Sequence, residues 1–285
     1  MTKVLILGVS GMLGSAMFRV LSESAELIVY GTVRSEKSIA HLPSSLHNRI
    51  IRDIDVENYD VLVNAFSQIH PDVVINCIGL VKQLADVNDP LHAIPLNSLL
   101  PHRIAALCKA TKARFIHIST DCVFSGEKGN YIESDFPDAH DLYGRTKFLG
   151  EVDLPHAITL RTSIIGHELI GNKSLVNWFL TQSGAINGYT KAFFSGLPTV
   201  ELSKIIRDIV IPRKSLHGIY HVSSAPISKY SLLQLIAKIY DKKIEINPSE
   251  YLVIDRTLNS ACFNEATGYN APEWPELIKQ MYEFK

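Results

Sequence analysis

Lys3-Val-Leu-Ile-Leu-Gly-Val-Ser-Gly-Met-Leu-Gly14 runs a short stretch of branched apolar residues straight into three glycines spaced Gly8-x-x-Gly11-x-x-Gly14. From Ser15 to Ser22 the apolar residues recur at helical spacing, so the segment reads as buried strand, glycine turn and helix. Glycines at such a turn let the backbone approach a pyrophosphate, and the N–H groups opening the helix favour its negative charge. The spacing is not the commonest Gly-x-Gly-x-x-Gly fingerprint, and a glycine-rich turn can also serve tight packing alone. Its place ahead of an amphipathic helix makes Gly8, Ser10, Gly11, Met12, Leu13 and Gly14 candidate contacts for a dinucleotide.

Working outward, Leu27 to Val33 reads as a second strand, and it ends on Arg34 where many NAD-binding chains place an acidic residue. A carboxylate there pairs with the ribose 2'-hydroxyl of NAD, whereas an Arg accommodates the 2'-phosphate of NADP. The expected cofactor is therefore NADP, with NAD possible. Arg49 to Arg52 looks like a short third strand, Tyr59 to Ile69 a helix, and Pro71 to Asn76 a buried parallel strand. Ligands in such sheets sit outside the carboxyl ends of the strands, which adds Asp55, Val56, Cys77, Ile78 and Gly79 to the cofactor candidates. The next helix is placed to start near Asn97, with Pro101 in its first turn. Arg114 to Ser119 and Ala157 to Arg161 read as further strands, and the alternation predicts an α/β fold, a Rossmann-type doubly wound parallel sheet.

From about Ile165 the rhythm breaks. Helices are expected over Asn172–Gln182, Val200–Val210, Tyr230–Tyr240 and Trp274–Tyr282, a strand over Gly218–Val222 and a loop over Phe194–Thr199. The expected domains are a cofactor-binding unit, residues 1–165, and a smaller substrate-binding lobe, residues 166–285, with a soft boundary and some elements returning to the first.

With 285 residues, 46% apolar and 20% charged, the chain can bury a large core. A net charge of −1 gives no general reason to expect nucleic acid or an anionic membrane as partner, which favours a small molecule. The four cysteines are widely spaced and read as reduced, and no His-Glu-x-x-His spacing supports a metal site. No apolar run approaches the ~20 residues that span a bilayer, and the apolar start lacks a basic n-region, so the cytoplasm is the expected compartment.

The chemistry is expected in Asp141-Leu-Tyr-Gly-Arg-Thr-Lys147, where Tyr143 and Lys147 stand four residues apart and share one face of a helix. An ammonium beside a phenol favours the phenolate, so Lys147 is expected to draw the Tyr143 pKa below about 10. A hydroxyl delivered by Thr120, just after a strand, could bond a substrate oxygen beside Tyr143, although Ser-Thr-Asp after a strand is also a common turn or helix cap.

Three motifs in order, Gly8-x-x-Gly11-x-x-Gly14, Ser119-Thr-Asp-x-Val-Phe-x-Gly126 and Tyr143-Gly-Arg-Thr-Lys147 with Leu149-Gly-Glu151, resemble those of the extended short-chain dehydrogenase/reductases. The resemblance runs on through Asn97, Arg161-Thr162, Gly196-Leu-Pro-Thr199, Gly218-Ile-Tyr-His221 and Arg256-x-x-x-Ser260, nearest to the dTDP-4-dehydrorhamnose reductase group. It implies that Tyr143 protonates the sugar oxygen, that Lys147 holds the nicotinamide ribose, and that Thr120 bonds the reacting carbonyl. It further implies Lys82, Thr120, Cys122, Val123 and Arg256 as substrate contacts and a nucleotide sugar as substrate, with a homodimer possible. Cys122 stands where the group usually has Tyr, and Arg256-Thr257 where it usually has Arg-Pro. The implied reaction is NAD(P)H-dependent reduction of the C4 keto group of a 4-keto-6-deoxy nucleotide sugar. Rivals are an epimerase of the same superfamily, which uses the same Tyr and Lys, and a non-catalytic NADP-binding regulatory subunit.

Overall fold

The computed structural model of the chain describes residues 1–80 and 88–285. Six strands of the first half are β1 (Thr2–Leu7), β2 (Leu27–Thr32), β3 (Ile50–Ile51), β4 (Val73–Asn76), β5 (Arg114–Thr120) and β6 (Ala157–Thr162). The strands that follow are β7 (Ile164–Ile165), β8 (Ala185–Tyr189), β9 (Ala192–Phe194), β10 (Leu197–Pro198) and β11 (Gly218–His221). Seven of them form one sheet in the order β11-β6-β5-β4-β1-β2-β3, parallel throughout. The order reverses at β1, which lies between β2 and β4. That crevice at the strands' carboxyl ends is where doubly wound sheets bind ligands.

Both faces of the sheet are buried, which is why its strands read as continuous apolar runs rather than alternating ones. Val4 and Ile6 of β1 enter one core with Leu13, Met17 and Phe18 of helix α1 (Met12–Ser22), while Leu5 and Leu7 enter the other with Leu62 and Phe66 of helix α2 (Tyr59–Ile69). The α2 boundaries follow from local chemistry. The Asn58 side chain accepts the Asp60 and Val61 N–H groups at its start, and His70 ends it in the left-handed conformation (φ 52°), just before Pro71.

The helix expected from Asn97 starts earlier. Asp89 caps α3 (Pro90–Ala93), which continues through a π-helical turn, Ile94–Leu99, into α4 (Leu100–Thr111). Pro95 and Pro101 are therefore interior. Pro101 has no N–H for the Asn97 carbonyl four residues back, and Gly150 packs against that carbonyl so closely that a Cβ there would stand 1.9 Å from the oxygen. The prolines thus mark a wide turn that receives the end of the next helix, α5 (Leu142–Leu149).

After β6 the chain supplies α6 (Leu175–Thr181), α7 (Thr199–Ile205), α8 (Lys229–Ile239), α9 (Ala261–Thr267) and α10 (Trp274–Glu283). β12 (Ile227–Ser228), β13 (Glu245–Ser249) and β14 (Ile254–Asp255) build two small sheets, β12-β9-β14 and β13-β8, and β10 pairs with β7 inside the stretch expected as a loop. Two later elements complete the first layer rather than a lobe: β11 extends the main sheet beside β6, and α7 packs on α1. Among the described residues, no helix is long and apolar enough to cross a membrane.

Candidate active site

The last three residues of β5 each meet one residue of α5 or its exit. The Ile118 carbonyl accepts a hydrogen bond from Lys147 Nζ at 2.9 Å. The Ser119 hydroxyl donates to Glu151 Oε1 at 2.7 Å. Thr120 stands near enough to the Tyr143 phenol for its hydroxyl to act on the phenol's titration, and that hydroxyl accepts the Cys122 N–H and donates to Asp121 Oδ1, both at 3.1 Å. Thr120 is therefore a cap for the short 3-10 turn Asp121–Val123 and a neighbour of Tyr143 at once.

Packing at both ends fixes α5 in this position. The Asp141 side chain caps it by accepting the Gly144 N–H at 2.8 Å. A Cβ on Gly144 would stand 2.2 Å from the Cys122 carbonyl oxygen, so only glycine lets the helix start lie on the Asp121–Val123 turn. From the other side, buried Asn97 donates to Thr146 Oγ1 (3.3 Å) and accepts the Leu80 N–H (2.9 Å), and Ser98 donates to the Thr146 carbonyl (2.9 Å).

Lys147 is 5% exposed, and burial lowers its pKa from 10.5 to about 8 against the opposing pull of Glu151 and Cys77. A Cβ on Gly79 would stand 3.8 Å from its Nζ, so the ammonium borders the exit of β4. Burial pushes the Cys77 thiol there up to about 12. Tyr143 departs from expectation. Burial above all, with Cys122, Asp121 and Asp141 adding, raises its pKa, while the Thr120 bond opposes this. Lys147 directs one N–H to the Ile118 carbonyl rather than to the phenol, and desolvation of the phenolate decides the direction. Tyr143 is thus a firmly protonated phenol at neutral pH.

The glycine turn lies at the same edge. Gly8 (φ +87°) accommodates Ile78, whose Cγ1 would be 2.7 Å from a Cβ, and a Cβ on Gly14 would lie 2.1 Å from the Gly8 carbonyl oxygen. Both are glycine for internal reasons. Gly11 is not: a Cβ there would meet only the Gly8 oxygen, at an ordinary 3.6 Å. It is exposed and opens α1 without a side-chain cap, which leaves the first N–H groups of the helix for an outside acceptor. These features fit a dinucleotide pyrophosphate. Leu13 is buried in the core, so its N–H alone could take part, and Ser10 and Met12 are half-buried beside it.

Arg34 and Asp55 are exposed beyond the ends of β2 and β3, whereas Val56 is buried in the α2-side core. Arg256 Nε donates to the Phe124 carbonyl at 2.7 Å, and its charge acts on the buried Asp121 carboxyl, which ties β14's exit to the loop after Thr120. Val123, expected against substrate, is fully buried with Phe124, Tyr131 and Leu258, because the turn points its side chain inward. Lys82 lies outside the described residues.

Sequence reasoning missed a buried network behind this site. Arg161 grips Glu151 with two of its three nitrogens, Nε to Oε1 at 2.8 Å and Nη2 to Oε2 at 2.7 Å, each side chain 3% exposed. A charged residue inside a strand as apolar as Ala-Ile-Thr-Leu-Arg161 demands a buried partner, and that signal was present.

A family model described as the RmlD substrate binding domain matches residues 1–283. The chain belongs to that family. A probable low-salt glycan biosynthesis reductase, Agl14, of Haloferax volcanii is 32% identical over 165 residues, covering 56% of this chain and 52% of that protein. The chain thus spans about half the length of this relative. A probable dTDP-4,6-dihydroxy-2-methyloxan-3-one 4-ketoreductase of Streptomyces antibioticus is 29% identical over 83% of this chain and 77% of its own. In fold, the chain is similar to the dTDP-4-dehydrorhamnose reductase of Bacillus anthracis in complex with NADP, with a TM-score of 0.80, 20% identity and 99% of each chain covered.

Proposed function

We propose that this RmlD-family chain is an NADPH-dependent reductase of the C4 keto group of a 4-keto-6-deoxy nucleotide sugar, serving nucleotide-sugar or surface-polysaccharide biosynthesis. The observation that carries the reading is the convergence of Thr120, Tyr143 and Lys147 at the sheet edge that also holds the glycine turn. The named reductase relatives support the substrate class.

When bound, NADPH supplies the hydride. As it reaches C4, negative charge builds on the carbonyl oxygen, and donors already aimed there lower the barrier. Tyr143 is such a donor, because its raised pKa keeps the phenol protonated until that charge appears. The Thr120 hydroxyl stands beside it and becomes a second donor once its single O–H turns from Asp121 Oδ1 to the substrate oxygen. Buried Lys147, one helical turn from Tyr143 and bonded to the Ile118 carbonyl, places a positive charge in low dielectric and offers a further N–H to the nicotinamide ribose. Gly11 and the open N–H groups of α1 hold the pyrophosphate, and Arg34 reads the 2'-phosphate. Arg256, Cys122 and Lys82 are assigned to the substrate.

NADPH oxidation with keto nucleotide sugars tests the reading in wild type and Tyr143→Phe. The variant should fold and bind NADPH as wild type does, while kcat falls about 10²–10⁴-fold, as loss of a general acid typically gives. Near wild-type turnover by Tyr143→Phe would sink the mechanism. Product formed without reduced cofactor would favour epimerisation, and NADP binding without oxidation by any keto sugar a regulatory role.

A further inference from the structure

The buried carboxylate behind the site has no part in the chemistry proposed above, yet it reaches the same strand as the catalytic lysine. Lys147 and Glu151 stand four residues apart, and they anchor to consecutive residues of β5, Ile118 and Ser119. Arg161 holds both carboxylate oxygens. Arg161 is itself fixed: its Nη1 donates to the Glu133 carbonyl at 3.4 Å and meets His221 Nε2 at 3.3 Å. His221 Nδ1 faces the Tyr131 carbonyl at 3.0 Å, so the proton sits on Nδ1 and Nε2 accepts from the guanidinium. The His221 N–H donates to Glu133 Oε1 at 2.8 Å. Three strands and one loop thereby clamp Glu151 in a single position.

We propose that Glu151, clamped by Arg161 and Ser119, is a positioning residue that keeps Lys147 cationic and in register with β5. This rests on the reading of Lys147 given under the proposed function. The other groups facing α5 do not supply that negative charge. Cys77 would add to it only as a thiolate, and burial holds it as a thiol up to about 12; His117 on β5 is driven well below 6.5 by burial, Lys147 and His102, so it is neutral. Asp121 is raised by burial and engaged with Arg256, while Cys122, Asp141 and Tyr143 lie at the opposite end of α5. Among the described residues this leaves Glu151, whose charge opposes the burial that lowers Lys147.

The test reads the Lys147 amine directly, by NMR titration of lysine Nζ with the signal assigned through its absence in Lys147→Met. Glu151→Gln should lower the titration midpoint by about one pH unit or more, tenfold in the proton equilibrium, and the alkaline limb of kcat should move down with it. Removing one partner of a buried pair is strongly destabilising, so the double variant Glu151→Gln/Arg161→Met, a neutral pair of similar volume, keeps the fold available. A downward shift is expected there too, because Glu151 and not Arg161 is among the charges that act on the Lys147 amine. A midpoint unchanged from wild type in the folded double variant overturns the proposal, since a merely structural pair would leave it in place. The titration needs no turnover: a shifted midpoint in a protein that reduces no keto sugar would refute the reductase reading and leave this electrostatic role standing.

Discussion

Holding Lys147 inside the protein should cost stability in a way that pH reveals. Lys147→Met removes the charge and keeps most of the aliphatic stem. In the folded protein the amine titrates near 8, against 10.5 when unperturbed, and a difference of that size at about 1.4 kcal/mol per unit amounts to about 3 kcal/mol. The folded pKa is the lower one, so between these two values the unfolded chain binds more protons, and wild-type stability rises with pH there relative to the variant. Below pH 8 the difference between the two proteins is flat. At neutral pH the variant escapes the cost of about 3 kcal/mol but leaves the Ile118 carbonyl without its partner, at about 1–3 kcal/mol, so its net change is small or mildly stabilising. Urea unfolding of both proteins from pH 7 to pH 10.5 at fixed ionic strength gives the difference, in which other titrating groups cancel. A wild-type gain of about 3 kcal/mol across that window is expected. A difference independent of pH would refute the depressed lysine, and with it the electrostatics assigned to the site.

The glycines should separate packing from ligand binding. Gly14→Ala should destabilise by about 1–3 kcal/mol or more in urea unfolding, because its Cβ meets backbone at 2.1 Å. Gly11→Ala, with φ −81° and open space, should unfold like wild type yet bind NADPH at least about tenfold more weakly in calorimetry. Unchanged affinity would remove Gly11 from the cradle. Arg34→Ala should weaken NADPH selectively and leave NADH binding alone, and equal losses would show that Arg34 does not read the 2'-phosphate.

Much of this architecture was legible because its causes are local. Strands buried on both faces must be apolar throughout, so Val4–Leu7, Val73–Asn76 and Phe115–Ile118 announce a parallel sheet, and the three glycines announce the turn between β1 and α1. What escaped was decided by distant neighbours. Pro101 reads as the first turn of a helix starting near Asn97 because the contact that accommodates it in the interior, Gly150 against the Asn97 carbonyl, lies some fifty residues away. Short strands such as β13, with Pro248 inside it and one face half-exposed, carry no clear period. The Tyr143–Lys147 spacing located the pair but not the sign of the Tyr143 shift, since desolvation depends on what Thr120, Cys122 and Asp121 do around it. Val123 reads as part of a substrate motif, yet its side chain belongs to the core with Phe124 and Tyr131.

The most direct measurement follows deuterium from NADPH dideuterated at the nicotinamide C4 into a 4-keto-6-deoxy nucleotide sugar during single turnover, read by NMR of the isolated product. The expected result is deuterium on sugar C4, in step with cofactor oxidation, in wild type and at a strongly reduced rate in Tyr143→Phe. Product that carries no deuterium at C4, or a cofactor that stays reduced in the presence of every such sugar, would contradict the reduction proposed for Tyr143, Thr120 and Lys147.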